Sequence, residues 1–190
     1  MSAVTTQKTE KMTVDEFMQW YETQEGKWEL HNGIPVRKHD PAKGQSERIE
    51  HSRVKYALTK NLDNAIQKAK KKCEVLPDGM TVRIDDGVCY EPDAVVYCGE
   101  KLDGKALEVP HPVIIVEVLS PSTAWKDVGA KLTDYFTIET VQHYLIVDPV
   151  RESIQHHYRD GANINVEAVN EDTLELEPPG LKIDVSSLFS

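Results

Sequence analysis

The run Val113-Ile114-Ile115-Val116-Glu117-Val118-Leu119 constrains this chain more than any other segment, because it sets one carboxylate in otherwise unbroken apolar sequence. Such a run, rich in β-branched residues, reads as a strand covered on both faces. Burying an unpaired carboxylate is costly, so Glu117 has to be paired, protonated or bound to a metal. Upstream, Glu91-Pro92-Asp93-Ala94-Val95-Val96 places a second carboxylate at the mouth of another short apolar strand. Two acids on neighbouring strand ends are what a divalent cation needs.

The surrounding sequence bounds what such a site could serve. A chain of 190 residues is long enough for one domain with a real core. Its hydrophobic content of 39% with 28% charged residues is that of a soluble globular protein. The net charge of −10 argues against a general nucleic-acid coat but leaves room for a local basic groove. Cys73, Cys89 and Cys98 are odd in number and lack CxxC spacing, which fits core residues in a reducing cytosol better than disulfides or zinc. The apolar runs are too short to span a bilayer and Met1 to Glu10 has no signal-peptide pattern, so a cytoplasmic protein without membrane contact is expected.

Residues 1–12 read as a frayed N-terminus and residues 13–190 as a single domain. Thr13 with Glu16 three places later is a capping-box start for a first helix. Asn32-Gly33 between Trp28–His31 and Ile34–Val36 is a two-residue hairpin turn. Ile49, Val54, Leu58, Leu62, Ala65, Ile66 and Ala69 recur at helical spacing and predict a long helix over 45–72. Short strands are expected at 73–76, 80–84 and 93–97. The segment 113–148 reads as strand, helix from about 125 to 138, strand, which makes a parallel pair with a right-handed crossover. Further strands at 153–158, 164–169 and 173–176 precede a short closing segment. The fold class is α/β (α+β), a mixed central sheet flanked by helices, with an N-terminal helix-hairpin and extra C-terminal strands.

Each candidate residue has a plain alternative. Pro92-Asp93 could be a loop exit, and Glu117 a structural ion pair. Lys131 lies on the helix after the Glu117 strand, where composition alone pairs it with Asp127, four residues earlier. Alternation turns Glu29 away from Trp28 and Leu30, either to solvent or toward the other acids. A lone helical histidine such as His51 is more often structural than catalytic. His156-His157 point to opposite faces of a strand and cannot chelate together. From Arg48 to Lys72 there are eight basic and two acidic residues. That helix, with Arg53, Lys55 and Lys60, is either a solvated face or a surface that tracks phosphates.

No GxxxxGK[ST], GxGxxG, GxSxG or HExxH motif is present, which weakens nucleotide hydrolysis, dinucleotide redox, serine hydrolysis and zinc proteolysis. Trp28-Glu29-Leu30-His31-Asn32-Gly33, His51, Glu91-Pro92-Asp93, Val116-Glu117-Val118-Leu119-Ser120-Pro121-Ser122-Thr123, Lys131-Leu132-Thr133-Asp134-Tyr135 and Tyr144-Leu145-Ile146-Val147-Asp148-Pro149 together resemble the Uma family of restriction endonucleases. That family is common in cyanobacteria and belongs to the PD-(D/E)XK nuclease superfamily. The resemblance runs from about residue 13 to residue 189, and implies a restriction-endonuclease-like core of helix, three strands, helix and strand.

The resemblance assigns roles to residues. Asp93 matches the metal-binding Asp of the superfamily and Glu117 its second acid. Leu119 stands where the superfamily normally has its lysine, and a helix lysine matching Lys131 is thought to supply that charge. Glu29 matches an additional family carboxylate and His51 a recurrent family histidine. The implied activity is a metal-dependent endonuclease hydrolysing DNA phosphodiester bonds. Asp93, Glu117 and the Val118 carbonyl would hold Mg²⁺ or Mn²⁺, with Ser120 a further site candidate and His51, Arg53, Lys55 and Lys60 on the nucleic-acid side. Duplex DNA is the expected partner, and a homodimer would suit cleavage of both strands. The alternative is a catalytically inactive nuclease-fold module that binds nucleic acid or a partner protein, and a third reading is a phosphoesterase for small substrates.

Overall fold

The computed structural model describes residues 11–38, 48–119 and 125–189. The expectation of a frayed N-terminus falls mainly on residues outside this set, although Met12 is tied to Gly33 by a backbone hydrogen bond of 2.9 Å. Helix α1 (Val14–Tyr21) begins with the capping box read from sequence. The Glu16 carboxylate accepts from the Thr13 amide at 2.8 Å and the Glu16 amide donates to the Thr13 hydroxyl. Strands β1 (Trp28–His31) and β2 (Ile34–Arg37) form the hairpin, and both turn residues, Asn32 and Gly33, have positive φ. That is the backbone an Asn-Gly turn supplies without strain.

Helix α2 (Ile49–Ala69) is closed by Lys70 in the left-handed region. Strands β3 (Cys73–Pro77), β4 (Val82–Asp85), β5 (Val88–Tyr90), β6 (Ala94–Cys98) and β7 (Pro112–Val118) lead to helix α3 (Trp125–Tyr135) and strand β8 (His143–Asp148). Strands β9 (Ser153–Asp160), β10 (Asn163–Val169), β11 (Thr173–Leu176) and β12 (Leu181–Asp184) complete the described chain with a short 3-10 turn. The main sheet has the order β10-β9-β8-β7-β6-β3, and a smaller sheet the order β2-β1-β5-β4. β7 and β8 are parallel, as a strand–helix–strand unit requires, whereas β3, β6 and β7 pair antiparallel. The architecture is the expected mixed sheet with helices on it.

Alternation along β7 divides the core in two. Ile114, Val116 and Val118 face α2, which contributes Val54, Leu58, Leu62, Ala65 and Ile66. Ile115 faces the other way, toward Tyr90, Tyr135 and Tyr144. Glu117 follows Ile115 on that second face, under α3. At about 25 cal/mol per Å² of apolar surface, these two layers are the main source of stability.

Three expectations are corrected, and two strands are added. Cys73 and Cys98 form a disulfide, because β3 and β6 bring them into register as direct partners. Cys89 alone is free, buried against Leu30. Ile49, counted in the apolar stripe, is 72% exposed. It is two residues, about 200°, from the inward-turned His51 and so faces the opposite side of α2. The strand expected at 80–84 is β4, starting later, and its partner β5 is a three-residue strand too short for periodicity to reveal. β12 was not read either, although the alternation Leu181-Lys182-Ile183-Asp184, buried and exposed in turn, was the signal that could have found it.

Candidate functional site

The edge between β6 and β7 carries both acids. Ala94 is the cross-strand partner of Val116, so Asp93 stands one step further out, beside Glu117. The Asp93 amide donates to the Val116 carbonyl at 2.9 Å, and Asp93 Oδ2 accepts from the Val118 amide at 2.7 Å. The backbone of one strand thus fixes the carboxylate of the other. Both acids are buried, each 6% exposed. His51 at the start of α2 reaches the same edge, with Nε2 at 2.8 Å from the Val118 carbonyl oxygen.

Lys131 enters from α3 on the second face. It is buried rather than at the surface, and its Nζ donates to Glu117 Oε1 at 2.9 Å and Glu29 Oε1 at 2.6 Å. The Tyr135 hydroxyl also donates to Glu117 Oε1, at 3.2 Å, and the ammonium lies 5.0 Å from the centre of the Tyr90 ring. Glu29 comes from β1 in the small sheet. It further accepts from the Glu91 amide and pairs with His31, so both of its oxygens are engaged. The hairpin therefore packs a carboxylate against the crossover helix, which explains why alternation turned Glu29 away from Trp28 and Leu30.

Sequence reasoning missed Lys38. It follows β2, and its Nζ lies 3.3 Å from Asp93 Oδ1 and 3.8 Å from Glu117 Oε2 while donating to the Glu91 carbonyl. No local pattern marks it, because all of these partners lie more than 50 residues away in sequence. Lys55 was read as part of the outer basic face. It turns inward instead, to Asp78 at 2.6 Å and Asp93 at 3.2 Å. Arg53 and Lys60 are exposed on α2 and do not enter the pocket. Ser120 and the side chain of Asp127 lie outside the described residues.

The charges interlock. Burial pushes Asp93 up, but Lys38, Lys55 and the Val118 amide outweigh it and hold the carboxyl at about 2. Burial likewise opposes ionisation of Glu29, and the His31 hydrogen bond with Lys131 and Lys38 brings it to about 2. Glu117 goes the other way: burial raises its pKa, with Asp93 and Glu29 adding to the rise against Lys131 and Lys38. Lys131 stays cationic, because Glu117 and Glu29 raise its pKa more than burial lowers it.

The donor set suits a hard cation. Asp93 Oδ1 and Glu117 Oε2 already converge on one positive centre, the Lys38 ammonium, beside a main-chain carbonyl. Among the described residues no three His, Cys, Asp or Glu side chains gather as a metal cage. Two carboxylates with the remaining shell left to water is the arrangement Mg²⁺ favours, whereas zinc and copper prefer sites richer in nitrogen or sulfur.

The model of the family described as "Uma2: Putative restriction endonuclease" matches residues 14–186. A protein of Synechocystis named "Uncharacterized protein slr1290" is 28% identical over 183 residues, covering 94% of this chain and 92% of the relative. A second from the same organism, "Uncharacterized protein sll1609", is 29% identical over 156 residues, covering 80% and 84%. Among solved structures, one titled a putative nuclease belonging to DUF820, from Anabaena variabilis, has a TM-score of 0.72 at 16% identity, covering 94% of this chain and 97% of that one. That likeness establishes a shared fold.

Proposed function

We propose that this chain, which belongs to the Uma2 family, is a divalent-metal-dependent endonuclease that hydrolyses phosphodiester bonds of duplex DNA. One observation carries the reading: the carboxylates of Asp93 and Glu117 and the ammonium of Lys131 occupy one pocket at the end of adjacent strands. Mg²⁺ or Mn²⁺ would be held by Asp93, Glu117 and a main-chain carbonyl, that of Val118 or Glu91. When bound, such an ion supplies a Lewis acid for the scissile phosphate and lowers the pKa of a nearby water.

The chain's own groups supply the rest. Asp93 is ionised at neutral pH, so its oxygen is ready without a proton to lose. Lys131 stands in for the lysine that Leu119 replaces. Its ammonium orients the attacking water and stabilises negative charge on the phosphate as it develops. Glu29 acts as a positioning residue, since it anchors Lys131 from the far side at 2.6 Å. The Lys131 site, closed over by Tyr90 and Tyr135, excludes bulk water and strengthens each of these charge interactions. Arg53 and Lys60, exposed on the helix that carries His51, contact the DNA backbone.

A plasmid-nicking assay with Mg²⁺ and Mn²⁺ tests this, run beside Asp93→Ala and Glu117→Ala. The expected result is conversion of supercoiled plasmid by the natural protein and its loss in both variants. Equal activity in all three proteins would assign the cleavage to another site or to a contaminant.

A further inference from the structure

Lys38 has a relationship to the carboxylate pair that neither Lys131 nor Lys55 shares. Lys131 grips Glu29, and Lys55 grips Asp78, so each keeps a partner away from the Asp93–Glu117 edge. The described partners of the Lys38 ammonium are Asp93 Oδ1, Glu117 Oε2 and the Glu91 carbonyl, all of them on that edge. Its side chain is 13% exposed, so the charge is withdrawn from water and depends on those oxygens.

A Mg²⁺ ion sits about 2 Å from its oxygen ligands, closer than the ammonium does, and needs the same two oxygens. Two cations cannot share that space, because at such separations their repulsion in a poorly solvated pocket exceeds what either gains. One must leave. The Lys38 backbone is pinned by its amide, which donates to the Lys27 carbonyl at 2.9 Å. Departure is therefore a change of side-chain rotamer on a flexible four-carbon stem and requires no movement of the sheet.

Building on the metal-centred reading above, we propose that Lys38 is an internal counter-ion that fills the cation niche between Asp93 and Glu117 and is expelled when a divalent ion binds. Its ammonium neutralises the two acids without metal and competes with the ion for them. The consequence is a metal affinity set by the difference between two cations, weaker than the carboxylate pair alone would give.

Two measurements test this without using nuclease activity. In the natural protein, acetylation by an N-hydroxysuccinimide ester is mapped by peptide mass spectrometry with and without Mn²⁺. Labelling of Lys38 is expected to rise several-fold with Mn²⁺, whereas Lys131 stays protected. In parallel, Mn²⁺ is titrated calorimetrically into the natural protein and Lys38→Met, whose side chain keeps the length without the charge. The Kd of the variant is expected to fall at least tenfold. Lys38 reactivity unmoved by saturating Mn²⁺, or an unchanged or weaker affinity in Lys38→Met, overturns the proposal while leaving the metal site intact. Absence of Mn²⁺ uptake by both proteins overturns the proposal and the metal-centred reading together.

Discussion

Lys131 Nζ lies 2.9 Å from Glu117 Oε1 across 14 residues of chain, and the same ammonium lies 2.6 Å from Glu29 Oε1 across 102. One cation on the crossover helix thus ties the small sheet to the central strand of the large one. Replacing it removes more than a contact.

Lys131→Met should leave the Glu29 and Glu117 carboxylates buried on the same side of the sheet without their shared counter-ion. Breaking a buried pair on one side costs about 3–5 kcal/mol, and part of that loss is expected here because Glu117 can relieve it by taking up a proton. Urea denaturation of Lys131→Met measures the loss. Adding Glu117→Gln removes the stranded charge, so the double variant should be more stable than the sum of the two single losses predicts. Additive losses would show that the two groups do not interact.

The exposed and inward basic residues of α2 should separate in a salt series. Arg53→Ala and Lys60→Ala remove charges that face outward, and each is expected to lower the slope of log K against log salt for a duplex oligonucleotide by about 1. Lys55→Met removes a charge committed to Asp78 and Asp93. Its main effect should be lower stability, with a smaller change in the salt slope. Fluorescence anisotropy across the series reads the first effect and denaturation the second.

How far the sequence foretold this arrangement depends on the range of the interactions. The strand around Glu117, the Asn32-Gly33 turn and the Thr13–Glu16 capping box were legible, because each is specified within a few residues. The proximity of Asp93 and Glu117 was legible at one remove, since both end apolar runs that pair as neighbours. Lys131 was not legible from composition, where Asp127 offers a nearer partner; only the path of α3 over the second face turns it inward. Lys38 was invisible, because its partners arrive from other strands. The disulfide was misread on similar grounds. Counting cysteines says nothing about register, and it is the antiparallel pairing of β3 with β6 that sets Cys73 opposite Cys98.

That bond gives a direct count. Of the three cysteines, only Cys89 is free in this structure. Protein denatured without reductant should therefore titrate one thiol, and three after reduction. The closed loop spans 25 residues, for which chain entropy predicts a stabilisation of about 3.5 kcal/mol. Cys73→Ala with Cys98→Ala should lower the urea midpoint accordingly. Three thiols before reduction would mean that the pair stays reduced where the protein is made.

The last prediction concerns acid. His143 is buried on β8, with Nε2 donating to the Pro178 carbonyl at 2.7 Å and Nδ1 at 2.9 Å from His156 Nε2. Burial, then the neighbouring His156, lowers its pKa from 6.5 to about 4, and the Pro178 hydrogen bond offsets only part of this. Between those values the unfolded chain holds a proton at this position that the folded chain refuses. The unfolded state then binds more protons, so stability rises with pH through this window and falls as the solution is acidified. The loss should begin near pH 6.5, reach about 3 kcal/mol near pH 4, and level off below. His156 and His157 are also lowered by burial and act in the same direction. Denaturation curves from pH 7 to pH 4 on the natural protein and His143→Asn isolate the share of this one ring. The variant, although less stable at pH 7 for want of the ring's packing, should show a visibly shallower decline, and parallel curves would mean that His143 takes up its proton in the folded state as readily as in the unfolded one.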